Sequence, residues 1–159
     1  MRLFILLVLG IIVAAIVYVR LAPDETASVH IQAEPRVPGD YPTSGGFLAV
    51  RQITAAPEDV LRAITQAAMD SDRTKALAGT VDDGIVTFVT RSKLMGFPDY
   101  TTVSIIPADT VDNAGPLVMI DARLRYGQND LGVNAARVTS LLDALGPLTV
   151  PLATTSSAQ

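Results

Sequence analysis

The chain has 159 residues, a formal charge of −4 and a pI near 4.8, with no cysteine, no tryptophan and a single histidine. The absence of cysteine excludes disulfides, thiolate metal sites and a cysteine nucleophile, and one histidine argues against a multi-histidine metal site. Nucleic acid is not expected as a partner, because phosphate binding needs clustered Lys and Arg. We therefore expect no cofactor, no metal and no nucleic-acid partner.

The first predicted element is an apolar helix at the amino terminus. Residues 3–19 are all apolar, Gly or Tyr, and they lie between Arg2 and Arg20. A helix over this run covers roughly 25 Å, and it approaches a hydrocarbon core of about 30 Å when Leu21 and Ala22 join it. The pattern predicts a single transmembrane anchor over residues 1–22, with the membrane as its partner.

A cleaved secretory signal is the alternative for the same segment, because it also begins with an apolar run. Cleavage needs a small-x-small site just after that run. Val13-Ala14-Ala15 lies inside the run, and Arg20-Leu21-Ala22 places a bulky cation at the site, so an uncleaved anchor is favoured. Arg2 and the terminal amine outweigh Arg20, which places the amino terminus inside. The interpretation is a single-pass protein of the cell (inner) membrane with its domain outside the cytoplasm, in the periplasm of a bacterial envelope.

The next segment is rich in proline and glycine. Residues 23–46 are predicted to form a tether, in which His30 is expected as a solvated side chain and not as a catalytic base. Residues 148–159 end in Thr, Ser, Ala and Gln and are predicted to be a disordered tail.

Residues 47–147 carry the pattern of one folded domain. Strands are predicted at residues 47–54, 75–79, 85–93, 101–107 and 117–126. One helix is predicted at residues 57–70, and another has its entrance near Asp130 and Asn134 and its apolar stripe at residues 138–145. In the last strand, Ala122 and Leu124 point to the apolar face while Arg123 and Arg125 point to the other. The order β-α-β-β-β-β-α predicts an α+β two-layer sandwich, a curved antiparallel sheet with two helices on one face.

Two segments, at residues 91–100 and 123–137, have sequences more specific than the periodicity of a strand or helix requires. They resemble the domain-of-unknown-function 1499 family of bacteria and plastids, whose members carry a Phe-Pro-Asp turn and an Arg-x-Gly-x-x-Asp-Leu-Gly-x-Asn-x-x-Arg run. The matching residues are Phe97, Pro98, Asp99, Arg125, Gly127, Asp130, Leu131, Gly132, Asn134 and Arg137. The chain departs from the family pattern at Tyr100, Ala122 and Leu124 and lacks its cysteine-containing segment. The resemblance implies no established reaction.

These segments supply the candidate ligand-binding residues. If both turns meet at one edge of the sheet, their guanidiniums and the free N–H groups of a helix start suit an anionic ligand group. The candidates are Arg91, Asp99, Arg125, Asp130, Asn134 and Arg137. In the alternative interpretation, Asp130 or Asn129 caps the last helix and Arg125 forms an internal ion pair with Asp99. No catalytic residue is assigned.

Three functions remain open at this point. The favoured one is a non-enzymatic, membrane-anchored extracytoplasmic domain that binds an apolar or amphiphilic ligand, such as a lipid, or an envelope protein. The second is a carboxylate-dependent hydrolase that uses Asp99 and Asp130 as an acid/base pair. The third is a purely structural envelope protein.

Overall fold

The fold is built on a six-stranded antiparallel sheet. The computed structural model describes residues 1–24, 26–111 and 114–152. The strands are β1 (Gly39–Thr43), β2 (Gly46–Gln52), β3 (Thr74–Thr80), β4 (Ile85–Arg91), β5 (Pro98–Ile106) and β6 (Leu117–Leu124). They lie in the order β1-β2-β6-β5-β4-β3, so the second and last strands are neighbours although a long stretch of chain separates them.

Four α-helices accompany the sheet in the described part of the chain: α1 (Arg2–Leu21), α2 (Thr26–Val29), α3 (Pro57–Met69) and α4 (Val133–Leu145). A short 3-10 helix, Gly146–Leu148, follows α4. Pro57 begins α3 and two acids lie in its first turn, which suits the positive end of the helix dipole. The buried apolar side chains of α3 and α4 pack on one face of the sheet. This layer is the main core of the domain.

The predicted fold class is confirmed: the domain is α+β, with a curved antiparallel sheet, and one apolar helix precedes it. The structure adds β1, which the sequence did not predict because Gly39 and Pro42 obscure its alternation. Pro42 is tolerated because β1 is an edge strand, where a missing N–H costs no interior ladder bond. The last helix, whose entrance was predicted near Asp130 and Asn134, begins at Val133.

The second face of the sheet is covered by a short segment that follows α1. We call residues 26–33 the strap. Val29 of the strap is 8% exposed and packs with Val89 and Tyr100. The Nδ1 atom of His30 lies 2.9 Å from Oγ1 of Thr87, so the expectation of a solvated histidine was wrong. The strap therefore acts as a partial third layer.

The domain boundaries proposed from the sequence stay predictions, and the structure adds detail to them. The interval 23–46 contains α2 and β1, and Thr149 forms a bridge to Ile53 at the end of β2. Residues 153–159 of the predicted tail lie outside the described residues.

Among the described residues, α1 is the one helix long and apolar enough to cross a membrane. It has 20 residues, a mean hydropathy of 2.8 and no buried residue. A signal sequence near the amino terminus has the same properties.

Candidate functional site

The register of β5 and β6 divides the six candidate residues between the two faces of the sheet. Asp99 pairs with Leu124, and Tyr100 pairs with Arg123. Because successive side chains of a strand point to opposite faces, Asp99 faces the helices and Tyr100 faces away from them with Arg125. The candidates therefore form two clusters and not one.

The first cluster lies on the face away from α3 and α4 and centres on a residue that was not a candidate. We call Asp24, Arg91, Tyr100 and Arg125 the juxtamembrane cluster, since Asp24 follows α1 by three residues. Nη2 of Arg91 lies 3.1 Å from Oδ2 of Asp24, and Nη1 of Arg125 lies 3.2 Å from Oδ1. The Tyr100 hydroxyl donates to the same Oδ1 at 2.8 Å. One carboxylate thus joins two guanidiniums and a phenol.

Tyr100 is a neutral hydrogen-bond donor in this arrangement. Its side chain is almost fully buried, and Arg125 donates to its hydroxyl oxygen at 2.9 Å. Burial, followed by the hydrogen bond to Asp24 and the charge of that carboxylate, raises the pKa of Tyr100 to about 12. The phenol therefore keeps its proton at neutral pH and is not a general base.

The second cluster lies between β5 and the start of α4. We call Asp99, Asp130, Asn134 and Arg137 the α4 cluster. Nη2 of Arg137 lies 3.3 Å from Oδ2 of Asp99, and a second guanidinium nitrogen donates to the side chain of Asn134. Asp130 accepts from the backbone N–H groups of Gly132 at 3.1 Å and Asn134 at 2.8 Å. Its carboxylate therefore satisfies orphan donors at the start of α4.

The two carboxylates of the α4 cluster have pKa values shifted in opposite directions. Burial raises the pKa of Asp99, and the attraction of Arg137 offsets only part of this effect. Burial acts in the same sense on Asp130, but hydrogen bonds from the N–H groups of Asn134 and Gly132 outweigh it and lower the pKa of Asp130. Asp99 therefore takes up a proton more readily than Asp130.

The structure brings together only some of the predicted partners. Arg91 and Arg125 meet in the juxtamembrane cluster, and the other candidates, Asp99, Asp130, Asn134 and Arg137, meet in the α4 cluster. The ion pair between Arg125 and Asp99 that the sequence suggested is not formed, because the β5 register places these side chains on opposite faces. Asp24 and Tyr100 were not among the residues predicted from the sequence.

The enclosed space in the core between the sheet and the two helices is too small for a ligand, and the larger depressions, of about 470 Å³ beside α4 and about 440 Å³ beside α3, are open to solvent. A cavity of about 10 Å³ lies beside Phe88, Thr101 and Arg137, which is about the volume needed for a single water. Among the described residues, no group of three or more His, Asp or Glu side chains is arranged to hold a metal ion. A ligand of lipid size would have to bind at the surface.

The juxtamembrane cluster adjoins α1 through the loop between β4 and β5. Nη2 of Arg20 donates to the carbonyl oxygen of Leu94 at 3.1 Å. Arg91 donates to the carbonyl oxygen of Gly96 at 3.3 Å. Gly96 has a φ of +73°, and a Cβ atom there would lie 2.9 Å from Cγ of Arg20. Glycine therefore permits both the turn and the close approach to the end of α1.

Comparison with known proteins shows the family to which the chain belongs but does not indicate an activity. The crystal structure of protein MLL2253 from Mesorhizobium loti is similar, with 13% identity and a TM-score of 0.43, covering 62% of this chain and 91% of that one. This likeness is too weak to bear on function. No curated protein sequence matches the chain significantly. The model of the family described as "Protein of unknown function (DUF1499)" matches residues 19–145, a range that includes Asp24 and both clusters. The chain therefore belongs to the DUF1499 family.

Proposed function

We propose that the protein is a membrane-anchored, non-enzymatic module that binds the anionic headgroup of an amphiphile at the bilayer surface beside α1. One observation carries this proposal. The paired guanidiniums of Arg91 and Arg125 lie next to the point where the apolar helix enters the domain. Cationic and apolar surfaces are thus adjacent, as recognition of an amphiphile requires.

Asp24 shows which kind of chemical group the pair of guanidiniums can bind. Its two oxygens each face a different arginine, at 3.1 and 3.2 Å. The phosphate or carboxylate of a headgroup offers the same arrangement of oxygens, and charge-assisted hydrogen bonds of this kind are strong. The side chains of Arg91 and Arg125 are 29% and 20% exposed, so solvent reaches them. An anionic headgroup would compete with Asp24 for the two arginines.

The apolar part of the ligand would lie against the end of α1. Ile12, Ile16 and Val19 border an apolar depression together with Met95 and Phe97. The small volume of the core cavity favours binding at this surface over binding inside a cup. The charges that flank α1 favour a location of the domain outside the cytoplasm.

Native mass spectrometry of the full chain, released from nanodiscs of mixed phosphatidylglycerol and phosphatidylcholine, tests this proposal. We expect retained phosphatidylglycerol to exceed retained phosphatidylcholine. Arg125→Gln should reduce the retention by about tenfold or more, because a hydrogen bond to a charged group contributes roughly 1.5–3 kcal/mol. Asp24→Asn should increase the retention, because it removes the competing charge while keeping the shape. Arg62→Gln, on the exposed surface of α3, is the matched control.

Two results would contradict the proposal. One is equal retention of the two lipids by the unaltered chain. The other is a fall in phosphatidylglycerol retention for both Asp24→Asn and Arg125→Gln, which would mean that the cluster only stabilises the fold. The Arg62→Gln control separates the second result from a general loss of positive charge.

A hydrolase remains a second candidate because of one observation. Environments that shift the pKa values of neighbouring carboxylates apart, as for Asp99 and Asp130, are typical of acid/base pairs. The cavity of about 10 Å³ beside Arg137 and the use of Asp130 as a helix cap weigh against a substrate there. Loss of activity in a hydrolase screen on Asp99→Asn, with an unchanged melting temperature, would favour this candidate over the binding module.

A further inference from the structure

The exposed apolar side chains of the domain are unevenly distributed. Among the described residues that follow α1, most large apolar side chains with high exposure lie at the end of the sheet where β4 ends, β5 begins and β6 ends. These are Met69, Leu94, Met95, Phe97, Leu131 and Val133. Leu94 is 84% exposed and Leu131 is 91% exposed. Such a concentration of apolar side chains marks an interaction surface.

This end of the domain is also the end that contacts α1. Residues 92–97 connect β4 to β5, and we call them the membrane loop. Met95 and Phe97 of this loop border the same apolar depression as Ile12 and Val19, in the half of α1 nearer the domain. Arg20 donates to the carbonyl oxygens of Leu94 and Met95, at 3.1 and 3.5 Å. When α1 spans a bilayer, a loop packed against this half of it lies in the adjacent leaflet.

Many of the backbone polar groups of the membrane loop have partners within the protein. Backbone polar groups must find partners within the protein when they enter lipid, since no water is available there. The N–H of Ser92 donates to the carbonyl of Phe97 at 2.8 Å, and the N–H of Gly96 donates to the carbonyl of Ser92 at 3.1 Å. The N–H of Phe97 donates to the Ser92 hydroxyl at 3.0 Å. Arg20 and Arg91 supply donors to the carbonyls of Leu94, Met95 and Gly96.

The side chains of the loop have the order expected at a membrane interface. Lys93 is exposed and precedes Leu94, so its long stem can extend toward headgroups while its neighbours lie deeper. The Phe97 ring lies 6.2 Å from that of Tyr126, and Tyr is a residue that favours the headgroup region. The bilayer is therefore the partner that fits this surface.

We propose that the membrane loop inserts into the leaflet on the domain's side, with Leu94, Met95 and Phe97 among the acyl chains and Lys93 among the headgroups. The domain then has two attachments to the bilayer, α1 and the loop, and its orientation is fixed. This goes beyond the proposed function, because insertion of the loop requires no bound amphiphile.

A fluorescent reporter at Leu94 tests the insertion directly. The chain has no tryptophan, so Leu94→Trp creates a single tryptophan whose emission can be excited selectively. The full chain is reconstituted in phosphatidylcholine vesicles, with and without bromine on the acyl chains. We expect emission at short wavelength that loses most of its intensity in the brominated vesicles. Asp82→Trp, in the exposed turn between β3 and β4 at the opposite end, is the matched control and should emit at long wavelength without quenching.

The quenching results at positions 94 and 82 either support the proposal or overturn it. Quenching at position 94 without quenching at position 82 supports insertion of the loop. An unquenched Leu94→Trp overturns the proposal, and so does equal quenching at both positions, because the domain would then lie flat on the membrane. Phe97→Trp provides a second reporter in the same loop if Leu94→Trp alters the melting temperature, and it should be quenched in the same way.

Discussion

Asp24 organises the juxtamembrane cluster although it lies far from its partners in sequence. It accepts hydrogen bonds from Arg91, Tyr100 and Arg125, and its own side chain is only 16% exposed. Removing one member of such a group leaves the others without a counter-charge in a partly buried place. Asp24 therefore both stabilises the cluster and occupies the surface that we propose for an anionic headgroup.

The substitution Asp24→Ala should lower the free energy of unfolding by about 1.5–3 kcal/mol, since it removes hydrogen bonds to charged groups. Urea unfolding of the full chain in detergent micelles, followed by circular dichroism, measures this change. Asp72→Ala is the control, because Asp72 pairs with Arg73 but is 88% exposed, and we expect a change within about 0.5 kcal/mol there. Similar losses for the two variants would show that Asp24 has no special role.

Asp99 and Asp130 should affect the pH dependence of stability with opposite signs. The pKa of Asp99 is raised in the folded state, so the folded protein binds its proton more tightly than the unfolded chain does. Its contribution to stability falls as the pH rises above the unfolded value of about 3.9. The pKa of Asp130 is lowered, so its contribution is present above that value and is lost as the pH falls.

Unfolding midpoints of Asp99→Asn and Asp130→Asn, compared with the unaltered chain from about pH 3 to 6, test these signs. Relative to that chain, Asp99→Asn should become more stable with increasing pH and Asp130→Asn less stable. The same trend in both variants would contradict the assigned environments of the two carboxylates.

The sequence predicted the face of the sheet on which a charged side chain lies more accurately than it predicted the residue with which that side chain pairs. Alternation along β6 correctly placed Arg123 and Arg125 on the face away from the apolar side chains. The pairing of Arg125 with Asp99 failed, because it depends on the register of β5, and strand alternation alone does not give a register. Asp24 could not be identified, since its contacts span 67 to 101 residues of sequence.

At the scale of elements, the strap shows how a segment predicted as a tether becomes part of a core. Val29 packs on Val89 and Tyr100, and its carbonyl oxygen accepts from the Thr102 hydroxyl at 3.2 Å. Helices and strands with a regular apolar period were predicted to within a few residues. The strap and β1 have no such period. Their position depends on contacts with strands that come later in the chain, so the sequence did not predict it.

Val29→Ala should reduce the free energy of unfolding by roughly 1–2 kcal/mol, because it removes buried methyl groups worth about 0.8 kcal/mol each. Val37→Ala, at a site that is 57% exposed, should leave it nearly unchanged. Urea midpoints of the two variants measured side by side provide the comparison. Equal midpoints would mean that the strap is a loose linker and not a layer of the fold.

At the scale of the whole molecule, specific contacts join α1 to the domain. Arg20 at the end of α1 bonds to the membrane loop, and Asp24 bonds to β4 and β5 soon afterwards. Removal of α1 by a signal peptidase after Ala22 would eliminate the first of these contacts and leave Asp24 close to a new, charged terminus. The proposed headgroup site and the proposed loop insertion both require that α1 stays attached.

Intact mass spectrometry of the protein purified from the membrane fraction tests this requirement most directly. We predict a mature polypeptide of about 16.8 kDa that retains α1. A mature species shorter by the first 20 or so residues, found in the soluble fraction, would contradict the anchored module.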